Sequence, residues 1–430
     1  MKITQTADTC PECTHTLVRP DADLPWCPAC EWNLGAYDRA APQVKGWGWI
    51  DRLAHRLAFR WDGVLFGRFS TERPTRPGWT RAHIALVALS VLLVLVFLGL
   101  LAGGILLVLH DFFSWGGLIG VAMVVMAVVI RPRIGRAYPR KRALRREQAP
   151  TLFALVDRVA EAVGTTAPPV IGIVTDFNAA TGTGGLRRTP FLLIGSPLLA
   201  ILAPQQRVAL LVHELGHQVN GDPARSLLVQ PALSAFRSLV NATGGLRTLR
   251  GVVFDDDRFA ALPLPIELAK WLVNRIVLAM YLVLRALGDR DGQRSEYLAD
   301  AVAVDVAGSV AAAALLDRTV LMPQIAGLLV HHAETKSSRQ WAAMAESMHE
   351  SKLDDLPRLR QLTLRRTDLW DSHPPEGLRA RMVEAWPQQD PQVVLSDADS
   401  ALIDAELAEW NARAHREFLG TRDYRGPRTT

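Results

Sequence analysis

From Ile84 to Leu109 the chain carries no charged residue. A helix over that run, rising 1.5 Å per residue, reaches across a hydrocarbon core of about 30 Å. A break, "HDFFSWGG", follows, and residues 118–130, "LIGVAMVVMAVVI", are again wholly apolar. The second run is long enough to cross only if its helix begins near Phe112. The pair therefore reads as a transmembrane helical hairpin over residues 83–130 with a very short outer loop.

The flanks orient this hairpin. The segment after Ile130, "RPRIGRAYPRKRALRR", is strongly basic, and Arg73, Arg76 and Arg81 precede the first run, whereas the outer loop holds only Asp111. Positive flanks stay inside, so both ends are expected at the cytoplasmic face of the cell (inner) membrane. The basic juxtamembrane segment, residues 131–149, lies flush against the span. That favours membrane lipid headgroups over nucleic acid as its partner.

All four cysteines fall near the start of the chain, as "CPEC" and "CPAC". Cys10, Cys13, Cys27 and Cys30 form two knuckles, each offering two thiolates from one tight turn, the spacing of a tetrahedral structural zinc site. Two disulfides or a redox pair would use the same residues. No βαβ pattern surrounds either motif, however, and the proline after each first cysteine suits a zinc ribbon over residues 1–35. Thiolate ligands also favour a reducing compartment, which agrees with the charge argument. Such a ribbon is also a candidate docking point for a protein partner.

Residues 36–82 read as a polar and aromatic linker. From Pro150 to about 387 the composition is that of a soluble domain. A helix is expected over 151–164 and another over 204–219, with "PPVIGIV" and "PFLLIG" as short strands. Two later apolar regions, residues 226–245 and 264–287, contain Pro231, Arg237, Glu267, Lys270, Arg275 and Arg285. A charge at the centre of a span costs about 2.5–3.5 kcal/mol on insertion scales. These regions are thus expected to lie against the membrane or pack on the hairpin. The tail, residues 388–430, is polar with a surface helix.

The chemistry concentrates in "LLVHELGHQVNGD". His213 and His217 are one helical turn apart and project from the same face, so both imidazoles can share one metal. Glu214 lies about 100° round the helix, where it reaches a water at the metal without being a ligand, the geometry of a general base. A catalytic zinc needs a third protein ligand. In "SEYLAD", Glu296 and Asp300 are four apart and co-facial, so Glu296 can ligate while Asp300 orients an imidazole. Taken alone, that pair reads more simply as exposed carboxylates. His15, the adjacent His331 and His332, and the acidic run 255–257 are weaker candidates. A phosphate-loop reading of "TGTGG" fails for want of a following Gly-Lys-Ser/Thr.

"HELGHQVNGD", "SEYLAD" and "SHPPEGLR", in that order, resemble the HtpX and CAAX prenyl protease type of membrane zinc metallopeptidase. "FNAATGTG" upstream is similar to that family's edge-strand motif, with Ala180 where the family usually carries an aromatic. The resemblance covers roughly residues 145–385 and the preceding spans. It implies an α+β, mostly helical zincin-type domain with a small β-sheet over residues 150–387. It also implies a catalytic zinc held by His213, His217 and Glu296, with Glu214 as base, Asp300 behind the ligands, His373 stabilising the oxyanion and Arg379 bracing the site. Asn178, Ala179, Ala180, Thr181 and Gly182 would present an edge strand to polypeptide substrates. The function expected is that of a membrane-anchored zinc metalloendopeptidase acting on unfolded or membrane-associated proteins, with one catalytic and one structural Zn2+. The competing reading is a catalytically silent, membrane-anchored zinc-ribbon adapter.

Overall fold

The computed structural model of the chain describes residues 9–18, 24–37, 48–75, 78–132, 143–185, 188–243, 264–331 and 338–420. Arg76, residues 133–142 of the basic segment, the acidic run 255–257 and His332 lie outside the described residues.

The expected linker contains a helix of 22 residues, α1 (Gly48–Phe69). Its buried positions, Asp51, Ala54, His55, Ala58, Asp62, Leu65 and Phe69, recur at helical spacing and form one face. Arg52, Arg56, Arg60 and Arg68 are interleaved with that face, which is why composition alone suggests a loop. Helices α2 (Arg81–His110) and α3 (Trp115–Ile130) make the hairpin. Ser114 caps α3 by accepting from Gly116 N–H and Gly117 N–H. The second apolar helix therefore starts after Phe112 and has only 16 residues, about 24 Å. The two helices touch backbone to backbone at their glycines. A Cβ on Gly104 would stand 2.8 Å from the Gly120 carbonyl, and one on Gly120 would stand 2.7 Å from that of Gly104. Small residues at such a crossing are how apolar helices pack without help from water.

The soluble part begins with β1 (Ala143–Leu144) and α4 (Pro150–Val163), then β2 (Val170–Val174), β3 (Ala179–Gly184) and β4 (Thr189–Gly195). They form one sheet in the order β1-β2-β4-β3, with β2 parallel to β4 and β3 antiparallel to it. Strand β3 is thus an edge. Short α5 (Ser196–Ile201) leads to α6 (Pro204–Asn220), with proline in the first turn and left-handed Gly221 closing it. Ala209, Leu211, Val212 and Leu215 of α6 are fully buried in the main core.

Helix α7 (Asp222–Ala242) packs on α2 and α3, and the 44-residue α8 (Leu264–Ala307) packs on α2 and α7. Pro231 lies inside α7, and the next amide, Ala232 N–H, donates to Ser90 Oγ of α2 at 3.3 Å. Residues 268–307 of α8 are, like α2, long and apolar enough to cross a membrane, which residues 264–287 alone did not promise. Its Arg275 is buried, 5% exposed, while Leu268, Leu272, Ile276, Met280 and Val283 are exposed.

Helices α9 (Ser309–Val320), α10 (Met322–His331), α11 (Ser338–Lys352), α12 (Leu356–Arg365) and α13 (Glu376–Ala385) complete the domain. The tail is not a surface appendage. Its helices α14 (Asp397–Glu406) and α15 (Ala408–Gly420) bury Ile403, Leu407 and Ala414 in the main core. The Glu406 carboxylate accepts from Thr151 N–H and Leu152 N–H, capping α4. Charges between the buried positions of the tail hid its apolar stripe.

Asp62 of α1 is fully buried and accepts a hydrogen bond from Thr367 Oγ1. Burial pushes its carboxyl up to about 6, the Thr367 bond pulling the other way. The folded pKa lies above the unfolded value of about 3.9. Stability from this group is therefore full below about pH 4 and is lost as pH rises through about 6. Thermal denaturation of the intact chain across that window should show Asp62→Asn gaining on wild type with rising pH, by up to about 3 kcal/mol. Parallel pH profiles for the two proteins would rule this out.

Candidate metal centre and catalytic residues

Helix α6 brings His213 and His217 to one face, and their rings stand 4.9 Å apart at 88°. Helix α8 crosses α6 at Gly216, between the two histidines. A Cβ there would lie 3.2 Å from Ala299 Cα, so a larger residue would push α8 away. The close crossing delivers Glu296 to the histidines. His213 Nε2 is 3.4 Å from Glu296 Oε2, and His217 Nε2 is 3.5 Å from Glu296 Oε1.

Around a tetrahedral zinc with bonds of about 2.0–2.1 Å, neighbouring ligand atoms stand about 3.4 Å apart. His213, His217 and Glu296 fit that spacing and form one of two metal-capable clusters among the described residues. Glu214 is buried on the same helix and is not part of the cluster. The Glu296/Asp300 pair is buried, at 5% and 3% exposure, which overturns the reading of exposed carboxylates.

Each imidazole is held from behind through Nδ1, leaving Nε2 towards Glu296. His213 Nδ1 is 3.1 Å from Asp300 Oδ1, and His217 Nδ1 is 2.9 Å from Asp222 Oδ2. Ser295 Oγ donates to the other Asp222 oxygen at 2.7 Å. Asp300 is fixed in turn by Arg379, whose Nε and Nη2 donate to its two oxygens at 2.7 Å each. Burial pushes the His213 imidazole down, but Asp300 and Glu296 outweigh it and raise it to about 9. The pocket therefore attracts positive charge, whether a proton or a cation.

His373 lies on the segment between α12 and α13, with Nδ1 2.9 Å from Glu296 Oε2 and more than half of its side chain exposed. The Glu296 carboxylate holds it above its usual pKa. Arg379 Nη1 is 3.3 Å from the same Glu296 oxygen. His373 and Arg379 thus come to the centre, as do Asp300 and Glu296. Residues 179–182 lie in the edge strand β3, with Asn178 just before it, and β3 pairs only with β4 among the described residues. Gln218, one residue past His217, donates from Nε2 to Thr181 Oγ1 at 2.7 Å and ties the strand to the histidine helix.

The second cluster is Cys10, Cys13, Cys27 and Cys30. Their sulfurs stand 3.6 Å apart for Cys10 and Cys30, and 3.4 Å for Cys13 and Cys27. Zinc–sulfur bonds of about 2.3 Å place sulfurs about 3.8 Å apart, so these four also fit one ion. His15 is not in that cluster and His331 is not in the other.

Residues 146–387, more than half of the chain, match the family model of Peptidase family M48. The chain belongs to that family. It is a metallopeptidase, of a family that depends on zinc. No curated protein and no solved structure matches the chain significantly.

Asp222, the last residue of "HELGHQVNGD", carries no role in the sequence reading. Its spacing, five residues after His217 and in the first turn of the next helix, is the signal that was there. Carboxylates behind a ligating histidine are commonly worth 10–100-fold in metal affinity. Asp222→Ala should therefore weaken zinc binding at this centre roughly 10–100-fold in competition with a chromogenic chelator. The cysteine site serves as internal control. Unchanged affinity would mean that the bond does not orient His217.

Proposed function

We propose that the chain is a membrane-anchored zinc endopeptidase whose active site and ribbon face the cytoplasm. The observation that carries the reading is the 3.4 and 3.5 Å spacing of two imidazole nitrogens about one buried carboxylate, with Glu214 adjacent but outside the ligand set. A structural site has no use for that glutamate.

Zinc held by His213, His217 and Glu296 would supply Lewis acidity, lowering the pKa of water and polarising the scissile carbonyl. Glu214 accepts the proton of the attacking water and returns it to the leaving amine. His373, with more than half of its side chain exposed, donates to the oxygen that becomes negative. Asp222 and Asp300 hold the imidazoles in the tautomer that leaves Nε2 free. The free edge of β3 adds to the substrate backbone, which reads the main chain over side chains and so favours extended or unfolded polypeptides. The apolar surfaces of α2, α3 and the first half of α8 suit a bilayer, and Arg81 and Arg131 at the ends of the hairpin favour a cytoplasmic position for residues 150–387. Lipid headgroups are the expected partners of the basic flank.

The test is cleavage of an unfolded, labelled reporter protein by the purified full chain. Zinc-loaded wild type should cut. Glu214→Gln should lose roughly 10²–10⁴-fold in rate with its metal content unchanged. Cleavage that survives both chelation and Glu214→Gln would defeat the proposal.

A further inference from the structure

The segment carrying His373, residues 366–375, has a feature that the proposed catalytic cycle leaves unused: it is gripped from the N-terminal side of the chain. Thr367 is buried at its start. Its hydroxyl donates to Asp62 Oδ2 of α1 at 2.5 Å, and its carbonyl oxygen lies 3.0 Å from His55 Nδ1 of the same helix. The other nitrogen of that ring, Nε2, is 3.3 Å from the carbonyl oxygen of Gly35, where the ribbon ends.

The ribbon itself sits on both flanks of the segment. Its fully buried Trp26 and Leu34 form one cluster with Leu364 of α12 and Leu378 of α13, against Phe59 and Phe66 of α1. Pro28 accepts through its carbonyl from Gln361 Nε2 at 3.0 Å, and Glu31 pairs with Arg381 at 3.3 Å. Helix α13 is the one that carries Arg379. The contacts come from the second knuckle, because Pro28 lies within the second cysteine pair and Glu31 directly follows it. A small fold held by one metal has little core of its own, so the shape of this surface depends on the ion.

We propose that Asp62 and Thr367 are positioning residues for His373, and that the metal-loaded ribbon is a clamp on the segment presenting it. The inference rests on the proteolytic reading above. The ribbon then acts within the chain: it joins the occupancy of the cysteine site to the placement of an oxyanion donor on the other side of α12 and α13. Trp370 also anchors the segment, donating from Nε1 to the Leu282 carbonyl of α8 at 2.8 Å. Loss of the clamp should therefore loosen the segment without releasing it.

Hydrogen exchange and reporter kinetics on the full zinc-loaded chain test this together. Thr367→Val removes the hydroxyl at constant shape, Thr367→Ser keeps it, and Cys13→Ser opens the ribbon site. In Thr367→Val, amides 368–374 should exchange roughly tenfold faster, a local opening. The value of kcat should fall roughly tenfold or more with KM within about twofold, since a displaced donor acts on the transition state. Thr367→Ser should restore both. Cys13→Ser should bind one zinc fewer and speed exchange over 358–381, leaving the α6 amides as in wild type. The proposal is overturned by unchanged exchange at 368–374 in Thr367→Val and Cys13→Ser, by faster exchange with unchanged kcat, or by Thr367→Ser behaving as Thr367→Val. Acceleration throughout the chain would reduce the contacts to bulk stability and overturn it too. If wild type cuts no reporter, that failure belongs to the proteolytic reading, and the exchange data alone decide whether the clamp exists.

Discussion

Two helices must touch almost backbone to backbone for this centre to exist. Gly216 sits between His213 and His217, and Ala299 of α8 faces it. That contact sets the distance from which Glu296 reaches the imidazoles, and it places Asp300 one turn further along, behind His213. Arg379 pairs with both carboxylates, bidentate on Asp300 and at 3.3 Å from Glu296, and shares their neutralisation with the imidazoles around them. Charges of this kind are tolerated only when paired and fully hydrogen-bonded. The polar network and the apolar crossing are therefore mutually dependent: the crossing brings the carboxylates in, and the arginine from α13 makes their burial affordable.

Helix α1 extends the same logic towards the N-terminus. Its Phe69 ring packs on Tyr297, the neighbour of Glu296, at 5.4 Å between centroids. Trp61 lies under the guanidinium groups of Arg290 and Arg294, at 4.7 and 5.8 Å. Further up, Ala54 and Ile50 join Leu278, Leu282 and Val240, so one helix touches the apolar bundle, the part of α8 that carries Glu296, and the ribbon. The ribbon is thus part of the domain surface, and its inner face is already committed.

What could be read from the chain was what repeats locally. The histidine helix, the cysteine knuckles and the first apolar run each announce themselves within a few turns, because their periodicity and their chemistry coincide. Glu296 needed a partner about eighty residues away, and only the order of several motifs made it credible. Helix α1 was missed, and the helical tail read as a surface element, because charged residues stand between their buried positions. Asp62 and His55 also bury polar groups where a pattern reader expects aliphatic ones. Counting charges undervalued α8 for the reverse reason: Arg275 reads as facing lipid, whereas the residue is buried. Asp222 closes the quoted histidine motif, yet its role appears only once the next helix has turned it back onto His217.

Helix α8 runs unbroken from exposed Leu268 and Val283 to Glu296. With its apolar half in a bilayer, the thirteen residue steps from Val283 to Glu296 make that helix a measuring rod. At 1.5 Å per residue it holds the reacting atoms no more than about 20 Å above the lipid boundary. An extended strand covers that height in about six residues. A substrate still anchored in the same bilayer would then be cut at a set distance from its own membrane boundary, and a shorter juxtamembrane stub would fall out of reach whatever its sequence.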